Sequence, residues 1–149
     1  MDGASPEKFA LWRHIELKHG RVAMLAVTGY LVTAAGVRFP GAESTPDGFK
    51  AISTLASYNE GQWVLFQLFA TVLLAEIWNH DKTGKAEFLG DYRNGIHDFG
   101  WDKQSSEWKL RKRSIELNNG RAAQMGILGL MTHELIGNSI LPTGYLPGQ

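Results

Sequence analysis

The chain contains no cysteine, only five prolines and no excess of either charge, with 15 Lys+Arg against 15 Asp+Glu in 149 residues. The lack of cysteine excludes disulfide scaffolds, thiolate nucleophiles and cysteine-ligated metal clusters. The lack of a basic excess argues against nucleic-acid binding, which depends on cations that contact phosphates. We find no nucleophile paired with a base and no phosphate-binding loop, so we do not expect an enzyme.

The chain also lacks any uncharged run as long as the roughly 20 residues of a typical transmembrane helix. Three uncharged stretches are residues 22–37, 61–75 and 122–132. Taken alone, these stretches fit membrane spans and the buried helices of a soluble bundle equally well. Start signals at Ser5-Pro6-Glu7 and Ser105-Ser106-Glu107 indicate helices. We therefore predict three helices, at about 6–36, 61–79 and 107–137.

The distribution of Lys and Arg separates the two interpretations. Apart from Arg21 and Arg121 of the repeat, eight of the fifteen lie between the second and third uncharged stretches and three flank the first on its N-terminal side, whereas only Arg38 and Lys50 lie in the loop that follows it. Three spans place the N-terminus and the second connection on one side of a membrane, and the positive-inside rule assigns basic residues to that side. We therefore predict an all-α membrane protein with three transmembrane helices.

An internal repeat relates the first helix to the third at an offset of about one hundred residues. Eight residues recur at that offset: Arg13, Ile15, Glu16, Leu17, Gly20, Arg21, Ala23 and Gly29. The repeat predicts that the first and third helices are crossed and related by a pseudo-two-fold axis. Small residues form two rows that favour close packing there: Gly20, Ala23, Ala26 and Gly29, and Gly120, Ala123, Gly126 and Gly129.

Each copy of the repeat contains a glutamate and an arginine five positions apart. Because these residues lie about 140° apart around a helix, they do not pair comfortably within it. Across the crossing, Glu16 would pair with Arg121 and Glu116 with Arg21, so that each charge is neutralised in the apolar layer. Such ion pairs can be purely structural, because they would hold the two helices together. This structural role is compatible with a functional role for the same residues.

His19 and Asn119 occupy duplicate positions, three residues after Glu16 and Glu116 on the same helix faces. A paired carboxylate, an imidazole and an amide each offer one lone pair. Single ligands of this kind suit the magnesium of a chlorophyll, which takes one axial ligand, better than free Mg²⁺, which requires near-octahedral oxygen ligation. A histidine on a helix is more often merely hydrogen-bonded, and this alternative stays open for His19.

The repeated segments 16–24 (ELKHGRVAM) and 116–123 (ELNNGRAA) resemble the signature of the three-helix light-harvesting chlorophyll proteins of plastids. Four further segments are similar to the fucoxanthin chlorophyll a/c branch of diatoms and related algae: 37–41 (VRFPG), 90–95 (GDYRNG), 98–102 (DFGWD) and 124–128 (QMGIL). The resemblance covers almost the whole chain, which we expect to form a single light-harvesting domain, 1–149.

The resemblance implies an antenna that binds chlorophyll a, chlorophyll c and fucoxanthin or related carotenoids. It implies partners among photosystem I or II cores, other antenna subunits and thylakoid lipids, and a chloroplast thylakoid location with the N-terminus stromal and the C-terminus lumenal. The chlorophyll ligands that it implies are Glu16, His19, Gln67, Glu76, Glu116, Asn119 and His133, with Gln124 as an additional candidate. For Gln67 and His133, a hydrogen bond to a neighbouring helix is the alternative. Since no Arg- and Ser-rich leader begins the chain, we expect a mature or trimmed form.

Two other functions remain open. A photoprotective quenching member of the same family would dissipate energy, and the acids that could sense lumenal pH in it are Glu43, Asp47 and Glu60. A soluble all-α interaction protein is the alternative from a different class, and it predicts extraction without detergent and no bound pigment.

Overall fold

The computed structural model describes residues 5–96 and 98–137, and within these ranges the regular structure is entirely helical. Four helices follow one another: α1 (Pro6–Ala34), α2 (Lys50–Ala56), α3 (Asn59–Trp78) and α4 (Ser106–Ile136). The ends of α1, α3 and α4 lie within two residues of those predicted from the sequence. The short helix α2 was not predicted.

The ends of α1 and α4 follow from local capping residues. The Oγ atoms of Ser5 and Ser105 accept hydrogen bonds from the backbone N–H groups three residues later, as serine N-caps do. At the other end of α1, Gly36 has a φ of 81°. Its N–H donates to Thr33 O and the N–H of Val37 donates to Val32 O, which together form a Schellman motif. Glycine is favoured at this position because the left-handed conformation is costly for other residues.

By length and composition, α3 is the one helix in the described part of the chain that could cross a membrane. The charged residues of the repeat lower the hydropathy of α1 and α4, although both helices are longer than α3. Three transmembrane spans therefore remain a prediction, because length and composition alone identify α3 and not α1 or α4 as a span.

The described residues divide into two compact units, one within residues 1–24 and 76–124 and the other within residues 25–75 and 125–149. In the first unit, α1 meets α4 at Gly20 and Gly120. A Cβ atom added to Gly20 would lie 2.9 Å from Gly120 Cα, so a side chain at this position would push the two backbones apart. The predicted rows of small residues pack only in part, because a Cβ atom on Gly29 would meet nothing within 4 Å.

The first unit also contains an ordered polar loop between α3 and α4, centred on Arg93. Its guanidinium group lies 2.8 Å from Asp91 Oδ2 and 3.1 and 3.2 Å from the carboxylates of Asp98 and Asp102. The hydrogen bonds from Arg93 outweigh the burial of Asp91 and lower the pKa of its carboxyl group to about 2. Segments 90–95 and 98–102, which carry part of the family resemblance, therefore have a structural role in this loop.

In the second unit, Glu134 of α4 explains why α2 forms. Its carboxylate oxygens accept hydrogen bonds from the backbone N–H groups of Phe49 and Lys50, at 3.0 and 2.8 Å, at the start of α2. Phe49, the N-cap residue, has no side chain that could satisfy these donors. Arg38 closes the preceding loop by donating to the backbone oxygens of Thr45, at 3.0 Å, and Thr33.

Candidate functional site

Two reciprocal ion pairs connect α1 to α4 within the first unit. Arg21 Nε lies 2.7 Å from Glu116 Oε1, and Arg121 Nε lies 2.6 Å from Glu16 Oε1. This geometry matches the cross-pairing expected from the repeat. The contact between Gly20 and Gly120 explains it, because the close approach of the two backbones brings each glutamate within reach of the arginine on the other helix.

The two glutamates differ in what their second oxygen contacts. Glu16 Oε2 lies 2.9 Å from Nη1 of Arg13, so both oxygens of this carboxylate are paired with a cation. In the part of the chain that the structure describes, the second oxygen of Glu116 has no hydrogen bond or ion pair. Arg113, which is the repeat equivalent of Arg13, instead places its guanidinium carbon 4.5 Å from the ring centroid of Phe88.

His19 and Asn119 are held in the same way by their own helices. His19 Nδ1 donates to Ile15 O at 2.9 Å, and Asn119 Nδ2 donates to Ile115 O at 3.0 Å. Because a carbonyl oxygen only accepts, the proton of a neutral His19 lies on Nδ1 and the lone pair lies on Nε2, and His19 as a residue is exposed. The same bond leaves the carbonyl oxygen of the Asn119 side chain available. Each residue thus presents one oriented acceptor, as the single axial ligand of a tetrapyrrole metal would require.

Glu76 on α3 carries a third paired carboxylate. Its Oε2 atom lies 2.6 Å from Lys18 Nζ on α1. Sequence reasoning did not identify Lys18, because this pair joins residues 58 positions apart and has no counterpart in the repeat. One oxygen of Glu76 remains without a described partner, as at Glu116.

The other three predicted ligands lie in different surroundings. Gln67 and His133 are exposed and belong to the second unit, and no side-chain hydrogen bond is described for either. Gln124 belongs to the first unit, where its Nε2 atom donates to the backbone oxygen of Glu16 at 3.3 Å. The structure therefore brings Gln124 to Glu16, whereas Gln67 and His133 belong to the other unit.

The described helices bury very little apolar surface. Among the residues that the structure describes, the buried hydrophobic ones are Ala23, Ala34 and Leu130, and no large side chain is fully buried. In contrast, 33 large hydrophobic side chains of the described helices and loops are exposed, including most of those of α3. Monomeric soluble proteins rarely expose apolar surface on this scale, which indicates that other apolar material covers these helices.

No group of three or more histidine, aspartate or glutamate side chains in the described ranges could hold a metal ion. The candidate ligands are single residues on different helix turns, beside apolar surface. Such a set does not fit a free ion. It fits a metal that is already held by a flat organic ring and needs one further ligand.

The comparisons with known proteins lead to the same ligand class. Residues 2–135 match the family model described as chlorophyll A-B binding protein. The chain belongs to the chlorophyll a-b binding protein family. A fucoxanthin-chlorophyll a-c binding protein (D) of Phaeodactylum tricornutum is 52% identical over 140 residues, which cover 91% of this chain and 71% of the relative. Similar proteins of Trieres chinensis and Macrocystis pyrifera are 45% and 42% identical, over 92% and 91% of this chain and 71% and 64% of theirs.

Chlorophyll a-b binding proteins are membrane proteins that harvest light, and the family is not an enzymatic one. Membership does not support the alternative of a soluble interaction protein. The relatives are named as chloroplastic, in agreement with a plastid location.

Proposed function

We propose that this chain is a light-harvesting antenna subunit that binds chlorophyll a, chlorophyll c and fucoxanthin and passes excitation energy to a photosystem. The names of the relatives support the pigment classes. The observation that carries the proposal is the matched pair of helix faces in the first unit. Each face carries a glutamate that is paired with an arginine of the other helix. Three residues later, His19 on one face and Asn119 on the other each present one oriented lone pair.

The residues that would hold chlorophyll are Glu16, His19, Gln67, Glu76, Glu116, Asn119 and His133, with Gln124 as an additional candidate. Chlorophyll, when bound, supplies the absorption of light and the excited state that is transferred. Arg21 and Arg121 neutralise the two glutamates, so that a carboxylate oxygen can serve as a ligand without an isolated charge in an apolar layer. Lys18 does the same for Glu76. Helix hydrogen bonds from His19 and Asn119 fix the direction of their lone pairs.

The proposed arrangement is a single domain, 1–149, with three spans corresponding to α1, α3 and α4 in a thylakoid membrane. The proposed pseudo-two-fold axis relates α1 and α4, and the N-terminus is stromal and the C-terminus lumenal. The distribution of Lys and Arg supports this orientation. Partners in this arrangement are a photosystem I or II core, other antenna subunits and thylakoid lipids. The exposed apolar side chains of α3 are available to lipids and pigments.

The quenching alternative receives no support from the acid whose surroundings are best defined. The backbone N–H of Gly41 donates to Glu43 Oε1 at 2.9 Å and lowers the pKa of this carboxyl group. A lowered pKa keeps Glu43 ionised as the surrounding solution becomes mildly acidic, so it is poorly suited to sense that change.

The proposal is tested by expressing the full chain, refolding it in detergent with a mixture of chlorophyll a, chlorophyll c and fucoxanthin, and removing unbound pigment. We expect a coloured protein whose carotenoid and chlorophyll c excitation bands produce chlorophyll a fluorescence. A protein that stays colourless, or whose pigments transfer no energy, would refute the antenna function.

A further inference from the structure

The two glutamates of the repeat are unequal as metal ligands, although the repeat places them in equivalent positions. Glu16 has a cation on each oxygen, at 2.6 Å from Arg121 and 2.9 Å from Arg13. Among the described residues, Glu116 has a cation on one oxygen only, that of Arg21 at 2.7 Å. All of these side chains belong to the first unit and are about one-third exposed, except Arg121, which is 55% exposed.

The difference arises from the residue three positions before each glutamate. Arg13 and Arg113 are both arginines at equivalent positions of the repeat, and both could reach a glutamate one helix turn away. Arg13 does so. Arg113 lies over the ring of Phe88 at 4.5 Å, and this cation–π contact directs its charge away from Glu116.

We propose that Arg13 weakens tetrapyrrole binding at Glu16 by competing for Oε2, and that Phe88 protects the equivalent position at Glu116 by holding Arg113. This inference rests on the proposed function. A carboxylate oxygen that accepts a hydrogen bond from a guanidinium group donates less electron density to a metal. Its remaining lone pair is also crowded by the long side chain of Arg13. The repeat therefore provides one freely available carboxylate ligand and one that Arg13 restricts.

The sign of the effect distinguishes this proposal from a supporting role for Arg13. If Arg13 only stabilised the helices, its removal would release pigment faster. If Arg13 competes with the metal, its removal slows pigment release from Glu16. Because partly exposed ion pairs within a helix contribute modestly, we expect roughly a two- to five-fold slower release.

The experiment uses the full chain refolded in detergent with chlorophyll a, and follows chlorophyll release by absorption after dilution into pigment-free detergent. Arg13→Gln is compared with Arg113→Gln as the matched control. We expect one release phase to slow in Arg13→Gln, and no change in Arg113→Gln. In the Glu16→Gln background the Arg13 effect should shrink, because a neutral amide oxygen binds the guanidinium group more weakly than a carboxylate does.

Two further arms separate coordination from packing. With pheophytin a, the metal-free form of the same macrocycle, Arg13→Gln should have no effect, because no axial ligand is needed. Phe88→Leu should release Arg113 toward Glu116 and accelerate a second release phase, and Phe88→Leu combined with Arg113→Gln should reverse this acceleration.

Unchanged or faster release from Arg13→Gln would overturn the competition, as would an equal effect with pheophytin a. If the wild-type chain binds no chlorophyll, the antenna proposal and this inference both fail. If it binds chlorophyll and Arg13→Gln behaves as wild type, only this inference fails. Far-ultraviolet circular dichroism of each variant shows whether the helices have formed.

Discussion

The contacts of the paired glutamates predict that Arg21→Leu is more damaging than Arg121→Leu. Within residues 5–96 and 98–137, Arg21 is the one cation paired with Glu116, whereas Glu16 keeps Arg13 when Arg121 is removed. A carboxylate left unpaired in the apolar layer of a membrane costs about 2.5–3.5 kcal/mol. The loss of one of two partly exposed ion pairs costs about 0.2–1 kcal/mol. The free energy of unfolding should therefore be about 2 kcal/mol higher for Arg121→Leu than for Arg21→Leu.

The assay is thermal unfolding of the refolded, pigmented chain, followed by circular dichroism and by the loss of chlorophyll absorption. For a chain of this length, about 2 kcal/mol corresponds to a midpoint roughly 4–8 °C lower in Arg21→Leu than in Arg121→Leu. The double variant Arg21→Leu, Glu116→Leu should recover helix stability, because it removes the stranded charge as well as its partner. It should not recover the chlorophyll bound at Glu116.

Equal midpoints for the two single variants would refute the reasoning, because they would show that Arg13 does not compensate Glu16. A midpoint lower in Arg121→Leu would refute it more strongly. If the double variant stayed as unstable as Arg21→Leu, the cost would lie in lost packing around Arg21 and not in the stranded carboxylate.

Three further predictions follow from other contacts. Gly20→Leu should abolish folding of the pigmented protein, because even a Cβ atom there would lie 2.9 Å from Gly120 Cα, whereas Gly29→Leu should fold, because nothing lies within 4 Å of its Cβ position. Similar thermal unfolding midpoints for the two variants would contradict the close helix crossing. At pH values above the ordinary carboxyl pKa, the ion pair of Asp91 should add about 2 kcal/mol to the free energy of unfolding of the loop, and this contribution should be lost as the pH falls from about 4 to 2. Tryptophan fluorescence should show a transition in this pH range that Asp91→Asn lacks. An unchanged transition in Asp91→Asn would assign it to another acid. His19→Leu should lose one chlorophyll without loss of helix content, and unchanged pigment stoichiometry would remove this residue from the ligand set.

The parts of the fold that were predictable are those set by short-range signals or by the repeat. Serine caps and a terminal glycine defined the ends of α1 to within two residues. The repeat supplied long-range information that a single sequence usually lacks, since two similar helices with a glutamate and an arginine that cannot pair internally are expected to pair with each other. Both ion pairs between Glu16, Arg21, Glu116 and Arg121 follow from this argument.

The parts that were not predictable depend on single contacts between distant residues. Helix α2 has seven residues and no side-chain cap at Phe49, and its start is satisfied by Glu134, about 85 positions away. The pairing of Lys18 with Glu76 likewise has no local or repeated signal. Neither contact could be read from composition, periodicity or spacing, because each depends on where separate helices meet.

The repeat also shows how one helix geometry can give two chemically different binding faces. The duplicated backbone fixes the same hydrogen bond to the carbonyl four residues earlier, but it directs an imidazole nitrogen at position 19 and an amide oxygen at position 119. Similarly, an arginine at equivalent positions contacts the glutamate in one copy and an aromatic ring in the other. His19 and Asn119 take no part in the ion pairs between α1 and α4, so substitutions of these two residues should alter the metal affinity of one face and leave the helix crossing intact. Glu16 and Glu116 are ligand candidates that also pair with the arginines of the other helix, so substitutions of these two residues should change the metal affinity and the stability of the crossing together.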